Sequence, residues 1–343
     1  MNIRIEQIAA ELRLAPSSVS VALNGKPGVS EATRRRVLDY AQARGWRPNF
    51  SARSLSSARA HAVGILLRRA PQDLASEPFW MSFLAGMEQC LEPRGESLVL
   101  RVVAGSRDDE ADGYRRWRAE RRVDGVVLFD LEQDDRRPTL LNELGLPFVV
   151  QGTPADAGSP HVYIHDTQHD VDLLIEHALS LGHARVLHLT GPLNYIHEVS
   201  RRDAIAEGAD RAGLHFRFET ADYSLERAEA VVAECLQDGS GSCFIIASND
   251  LMAVGATRAV DRLSKTDVAI TSWDDSLLCA LSSPSITALD RQHARQAERI
   301  TELLLGLIED RGDVGRMALP SVLSVRRTSV SGAAGATATG VVV

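Results

Sequence analysis

Apolar residues recur at helical spacing three times within the first 45 residues of the chain. The pattern predicts helices over residues 3–12, 16–23 and 30–43, with three residues between the first two and Gly45 ending the third. Two short helices joined by a tight turn are typical of a helix-turn-helix that binds DNA. An ordinary helical bundle has similar spacing, so the pattern alone leaves both structures open.

Beyond residue 60 the pattern changes to short apolar runs that alternate with helical segments. This order predicts parallel β-sheets covered by helices, an α/β architecture that supports many unrelated activities. The predicted strands span residues 63–67, 98–103, 125–129, 147–150, 162–164, 185–189, 244–247 and 268–273.

Charge is divided unevenly between these two parts of the chain. The 343 residues have a formal net charge of −8, yet the first 60 contain ten Lys or Arg residues against four acidic ones. The first part therefore carries +6 and the remainder −14. A basic module of this kind is suited to a phosphate backbone, and the length fits two or three domains.

The cysteines and the lengths of the apolar runs indicate where in the cell the protein is expected to act. The four cysteines form no Cys-x-x-Cys pair, which favours reduced, buried thiols. The start Met-Asn-Ile-Arg-Ile-Glu has no apolar signal core, and no apolar run is long enough to cross a bilayer. We therefore expect a cytoplasmic protein without a membrane partner, and a disordered tail over 331–343.

Short motifs follow one another at fixed intervals along almost the whole chain. Those in the first part are Ile5-Glu6-Gln7-Ile8-Ala9, Ser18-Val19-Ser20, Leu23-Asn24-Gly25, Pro27-Gly28-Val29-Ser30-Glu31-Ala32-Thr33-Arg34 and Arg47-Pro48-Asn49-Phe50-Ser51-Ala52-Arg53-Ser54-Leu55. Those in the second part are Val123-Asp124-Gly125-Val126, Leu181-Gly182-His183, Gly191-Pro192, Asn249-Asp250-Leu251-Met252-Ala253, Trp273-Asp274-Asp275 and Leu319-Pro320. With these motifs the chain resembles the LacI/GalR (lactose-repressor) family of bacterial transcription regulators.

The resemblance implies a DNA-binding part with two elements. A helix-turn-helix over 1–48 would place its second helix in the major groove, and a hinge helix over 49–59 would insert Leu55 into the minor groove. Because two hinge helices must pair, we expect a homodimer on a near-palindromic double-stranded operator. For Val21 the hypothesis is a contact with a thymine methyl, and the alternative is a tolerated apolar residue. The DNA-binding residues implied are Pro16, Ser17, Ser18, Val21, Asn24, Asn49, Ala52, Arg53 and Leu55.

The resemblance also implies a periplasmic-binding-protein-like sensor over 60–330, which binds an effector and dimerises. Its first lobe would comprise about 60–161 and 291–319, and its second lobe about 162–290 and 320–330. Charged and amide groups among aromatic faces suit a sugar, so the expected effector is a carbohydrate, with no cofactor and no metal. The effector-binding residues implied are Phe79, Trp80, Gln151, Arg202, Tyr223, Asn249, Trp273 and Asp274.

The chain departs from the family pattern close to this expected site. Gln151 stands where some members have an effector-binding Asp, Ile205 replaces a usual Gly, and His165-Asp166 replaces a common Asp-Asn. The segment 68–73 is an insertion at the end of the first predicted strand. The effector therefore need not be that of a well-known relative.

The sequence disfavours three alternatives to regulation of transcription. An enzyme is disfavoured because Asp274 and Asp275 are neighbours on a strand and no catalytic motif accompanies them. A metal site at His161, His165 and His169 is disfavoured because the stretch reads as a strand. A carbohydrate-binding transport protein would lack the basic head. The prediction is a non-enzymatic, sequence-specific DNA-binding regulator, expected to be a repressor, whose operator affinity is set by a small ligand.

Overall fold

The structure is a computed structural model that describes residues 4–23, 27–46, 59–71, 74, 77–152, 162–237, 242–311 and 319–330. The chain divides into two compact units, residues 1–61 and residues 62–343. The predicted all-α head and α/β sensor correspond to these two units.

The first unit is a bundle of three helices around a small apolar core. They are α1 (Ile5–Leu12), α2 (Pro16–Leu23) and α3 (Glu31–Ala43), as the spacing predicts. Ile8, Val19 and Val37 are fully buried between them. Ser30 caps α3, because its hydroxyl accepts a hydrogen bond from the backbone N–H of Thr33 at 3.2 Å.

The first lobe of the second unit is built on a five-stranded parallel sheet in the order β2-β1-β3-β4-β5. Buried β-branched and leucine side chains make its central strands continuous apolar runs, as expected where helices cover both faces. The strands are β1 (Ala62–Leu67), β2 (Ser97–Val102), β3 (Gly125–Leu128), β4 (Phe148–Gly152) and β5 (Val162–Ile164), and the helices are α4 (Pro78–Leu91), α5 (Arg107–Ala119) and α6 (Arg137–Glu143).

The second lobe contains a six-stranded sheet in the order β11-β10-β9-β8-β6-β7, parallel except for the last pair, β10 and β11. Its strands are β6 (Arg185–Thr190), β7 (His215–Thr220), β8 (Cys243–Ala247), β9 (Val268–Ser272), β10 (Thr287–Asp290) and β11 (Val322–Ser324). Its helices are α7 (Thr167–Ser180), α8 (Ile196–Arg211), α9 (Leu225–Cys235), α10 (Asp250–Arg262) and α11 (Leu277–Leu281).

The last long helix, α12 (His293–Ile308), returns to the first lobe and packs against α4. The approach is close at Gly86, where an added Cβ would lie 2.1 Å from the carbonyl oxygen of Ala294. The chain therefore passes between the lobes three times, between 164 and 167, between 290 and 293, and between 308 and 322.

One lobe boundary implied by the family resemblance is misplaced, and the pattern of apolar residues missed three strands. The predicted second lobe begins at 162, but β5 hydrogen-bonds to β4 and belongs to the first sheet. The missed strands are β7, which carries polar residues along a sheet edge, and the short strands β10 and β11.

Candidate functional site

A cavity lies between the two lobes, where the carboxyl ends of strands from both sheets meet. Its empty volume is about 860 Å³, including its open mouth. Residues following β1, β3, β8 and β9, and the last two residues of β4, all reach its wall, which is where open α/β sheets bind ligands. We call this cavity the cleft.

Aromatic rings form the first-lobe wall of the cleft. The ring of Trp80 lies 5.0 Å from that of Phe79 and 4.9 Å from that of Phe129, measured between centroids. The indole N–H of Trp80 donates to Glu77 Oε2 at 2.9 Å, which satisfies its only polar atom. Flat apolar faces of this kind suit the C–H face of a sugar ring.

Arg69 crosses the same wall and is fully paired. Its guanidinium donates to Glu77 at 2.9 Å and to Asp130, and it lies over the Trp80 ring at 5.0 Å. Burial raises the pKa of the Glu77 carboxyl, and Arg69 opposes that rise. Burial acts on Asp130 in the same sense, but Arg69, together with His197 and Arg137, outweighs it and holds the pKa of that carboxyl below its ordinary value. Both acids thus compensate one buried cation.

Glu198, at the start of α8, organises the second-lobe wall. Its carboxylate is fully buried and accepts from the backbone N–H of Gly191 at 2.7 Å, the Ser248 hydroxyl at 2.8 Å and Arg201 at 2.7 Å. The Tyr223 hydroxyl donates to it at 3.0 Å. Burial would raise the pKa of Glu198, yet Arg201 makes the net shift a lowering. This acid is therefore an ionised anchor for the residues around it.

Trp273 and Asp274 form the floor of the cleft. The indole ring of Trp273 has the Arg201 guanidinium above it at 4.4 Å and that of Arg291 at 6.0 Å. Asp274 accepts from His293 at 2.9 Å and lies 3.5 Å from Arg291. Burial would raise the pKa of Asp274, but His293 and Arg291 lower it far below its ordinary value.

Apart from Arg291 Nε, which pairs with Asp170 at 3.3 Å, three buried polar atoms of cleft residues have no hydrogen-bond partner among the described residues: Asn249 Nδ2, Asp250 Oδ2 and Trp273 Nε1. The Asn249 side chain uses its Oδ1 to cap α10 by accepting from Met252 at 2.9 Å, which leaves the amide N–H₂ free. Burial, with the nearby Asp274 charge, raises the pKa of Asp250 to about 6. Buried polar atoms are nearly always paired, so these three call for an occupant.

Seven of the eight predicted effector residues line the cleft together, and Arg202 does not. The seven are Phe79, Trp80, Gln151, Tyr223, Asn249, Trp273 and Asp274. Arg202 instead donates to Asp203 and lies over the Phe218 ring at 5.2 Å, while its neighbour Arg201 faces the cleft. Consecutive residues of a helix differ by about 100° in direction, so a shift of one position moves the side chain to another face.

Several residues of the cleft were not predicted from the sequence. They include Arg69, Glu77, Asp130, His165, His197, Arg201, Asp250 and Arg291. Some carried a signal, because Arg69 and Asp130 are each the second residue after a strand and Arg201 is adjacent to Arg202, the predicted residue.

In the head, Pro16 and Ser17 are exposed at the start of α2, and Ser18 and Val21 are half-buried. Their roles toward DNA stay predictions. Asn24, Asn49, Ala52, Arg53 and Leu55 lie outside the described residues, as do His161 and the stretch 331–343.

Comparisons with known proteins agree with this architecture. A model of the periplasmic binding protein-like domain matches residues 175–330. The HTH-type transcriptional regulator CelR of Thermobifida fusca is 28% identical over 94% of this chain and 97% of its own. A solved complex of transcriptional regulator CelR with cellobiose is 26% identical, with a TM-score of 0.70 over 95% of this chain and 100% of that one.

A lac repressor dimer bound to operator and the anti-inducer ONPF shares the fold. Its TM-score is 0.79 at 20% identity, over 96% of this chain and 100% of that one. Among the described residues, no helix is both long and apolar enough to cross a membrane.

Proposed function

Because the chain belongs to the LacI/GalR family of transcription regulators, we propose that its head binds a near-palindromic operator as a dimer and that a neutral sugar in the cleft sets the operator affinity. The ligand would favour one relative position of the two lobes. A tenfold change in DNA occupancy needs a difference of only about 1.4 kcal/mol in ligand binding between the two positions.

The observation that carries this proposal is that the cleft is lined by residues with unpaired buried polar atoms, beside aromatic rings. Asn249 and Trp273 offer N–H donors, and Asp250 offers an acceptor. A hydroxyl can both donate and accept, so neighbouring hydroxyls of one sugar ring could satisfy all three. The ring's C–H face would then rest on the aromatic wall at Phe79 and Trp80.

The charge balance of the cleft favours a neutral sugar over a phosphorylated one. Each arginine that lines it already has a carboxylate partner: Arg69 has Glu77 and Asp130, Arg201 has Glu198, and Arg291 has Asp170 and Asp274. A phosphate would have to break one of these buried pairs and leave an acid uncompensated, at a cost of several kcal/mol, roughly 3 or more. The cellobiose found in the CelR complex makes that neutral disaccharide a sensible first probe.

A second copy of the chain is the expected partner. Leu277 and Leu281 on the short helix α11 are 72% and 73% exposed, which is unusual for two large apolar residues one helical turn apart. Cover by a second copy would remove them from water. A dimer would also supply the two heads that a near-palindrome requires.

The test is a titration of the full chain against DNA from around its own gene at fixed salt, without and with a panel of sugars. We expect saturable binding that a neutral mono- or disaccharide shifts at least tenfold, while the phosphorylated counterpart has no effect. A shift produced only by phosphorylated sugars or purines would contradict the proposed ligand class. Weak binding with a steep salt dependence and no preferred sequence would contradict operator recognition.

A further inference from the structure

Two consecutive arginines after β1, Arg68 and Arg69, hold two acids of the loop that follows β3. Arg69, inside the cleft, pairs with Asp130, and Arg68 pairs with Glu132 at 2.6 Å. The same loop is therefore fixed at two points from one dipeptide. Arg68 and Arg69 begin the insertion 68–73; the proposed function uses Arg69 only as a paired cation of the cleft and gives Arg68 no role.

The loop held in this way contacts the second lobe directly. Asn194 Nδ2, in the segment after β6, donates to Glu132 Oε1 at 2.9 Å. Beside it, Glu132 and Tyr195 form an isolated antiparallel bridge, and the backbone N–H of Ile196 donates to the carbonyl oxygen of Leu131 at 2.8 Å. We call this contact, formed by 131–132 and 194–196, the lobe bridge.

The lobe bridge also completes a helix end. Helix α8 begins at Ile196, and its N-cap residue, Tyr195, makes no side-chain capping bond. The first N–H groups of a helix need acceptors from outside it. Here the Leu131 carbonyl of the other lobe is one such acceptor. Separating the lobes therefore leaves the backbone N–H of Ile196 without this acceptor.

Glu132 is the charged residue of the lobe bridge. Its side chain is 8% exposed and accepts from Arg107 at 2.5 Å as well as from Arg68 and Asn194. Arg68 also bonds Glu110 at 3.2 Å, which fixes the guanidinium from a second side. The orientation of Glu132 toward Asn194 thus depends on Arg68.

We propose that Arg68 and Arg69 connect the cleft to the lobe bridge: Arg69 responds to the occupant of the cleft, and Arg68 is a positioning residue that holds Glu132 toward Asn194. A ligand that rearranges the Arg69–Asp130 pair would move the loop that carries Glu132. The lobe bridge would then strengthen or open, which gives the insertion a role in regulation. The ligand-dependent part of this inference rests on the proposed function.

The test measures the distance between the lobes without DNA or sugar. Spin labels on Ala119→Cys and Asp210→Cys, exposed positions on α5 and α8, report that distance by double electron–electron resonance, with excess unlabelled chain to isolate single protomers. The four native cysteines are buried, so labels should attach at the introduced sites. Asn194 is exposed, so Asn194→Ala should leave the fold intact.

We expect Asn194→Ala and Arg68→Gln each to raise the ratio of long to short distances by about tenfold, because each removes a hydrogen bond to a carboxylate. Their effects should not add, because both act through Glu132. The control is Arg115→Gln, which breaks the exposed pair with Asp112 on α5 and should change nothing. Distances unchanged in both variants would overturn the lobe bridge.

The connection between the cleft and the lobe bridge is tested separately, with a variant of Arg69. Arg69→Gln should also lengthen the distance, and its effect should be non-additive with that of Asn194→Ala. Strict additivity would overturn the role of Arg69 while leaving the lobe bridge standing. Because neither DNA nor ligand is present, these outcomes are independent of whether operator binding or the sugar response is found.

Discussion

Replacing Asp250 with Asn should stabilise the folded chain at neutral pH. Asp250 is 3% exposed, and its Oδ2 has no hydrogen-bond partner among the described residues. The Ser276 side chain lowers the pKa of this carboxyl, but burial has the larger effect and Asp274 adds a like charge nearby. Burial raises its pKa from an ordinary 3.8 to about 6, so the fold disfavours the ionised form. Asn keeps the shape of the side chain and carries no charge.

The magnitude follows from the difference in pKa between the folded and unfolded chain. A rise of about 2 pKa units corresponds to roughly 3 kcal/mol. Below pH 3.8 the carboxyl is protonated in both states and costs nothing. As the pH rises toward 6 the unfolded chain loses its proton first, so the penalty grows and reaches its full value above pH 6. Asp250→Asn removes this penalty.

The assay is reversible denaturation of the wild-type chain and Asp250→Asn between pH 4 and 8. The variant should be more stable by about 3 kcal/mol at pH 8 and nearly equal to the wild type at pH 4. All other carboxylates cancel in this comparison because both chains share them. A difference that does not change with pH, or one that grows as the pH falls, would refute the assignment of a raised pKa.

Three further predictions concern the cleft, the DNA contact and the dimer. Arg201→Gln should lower the free energy of unfolding by about 3 kcal/mol and abolish the sugar response, because it leaves the buried charge of Glu198 without its arginine. Arg202→Gln should change the free energy of unfolding by less than about 1 kcal/mol, and equal effects of the two variants in calorimetry would contradict the distinction between them. Val21→Ala should weaken operator binding about fivefold, and this effect should vanish when the contacted thymine is replaced by uracil. An equal loss of affinity on both DNAs would contradict the proposed contact with the thymine methyl. Leu281→Glu should raise the dissociation constant of the dimer at least tenfold, as measured by sedimentation. An unchanged dissociation constant would show that the dimer interface does not include Leu281.

The local pattern was enough for the elements whose sequence is periodic. Gly45, at the end of α3, has the left-handed φ of 67° that such a helix end requires. The strand β7, in contrast, alternates polar and apolar residues along an exposed edge, and β11 is only three residues long. Neither gives the apolar run by which the other strands were found.

Within the cleft, the sequence predicted which strand ends converge but not which side chains face inward. The sequence pointed to Arg202, whereas its neighbour Arg201 lines the cleft, since only the packing of α8 on its sheet fixes the phase of that helix. Asp250 was overlooked because its unpaired oxygen results from burial, which no local pattern contains. Arg69 owes its place to its pairing with Asp130, a partner far away in sequence.

The place of helix α12 in the first lobe has a consequence for the order in which the chain can fold during synthesis. The head needs only the first 45 or so residues, whereas the apolar face of β1 waits for a helix ending at Ile308. A ribosome therefore completes the DNA-binding head long before the first lobe can close its core. A chain truncated within the second lobe would carry an intact head on an open apolar sheet, and aggregation or proteolysis would remove it before it could occupy an operator without regulation.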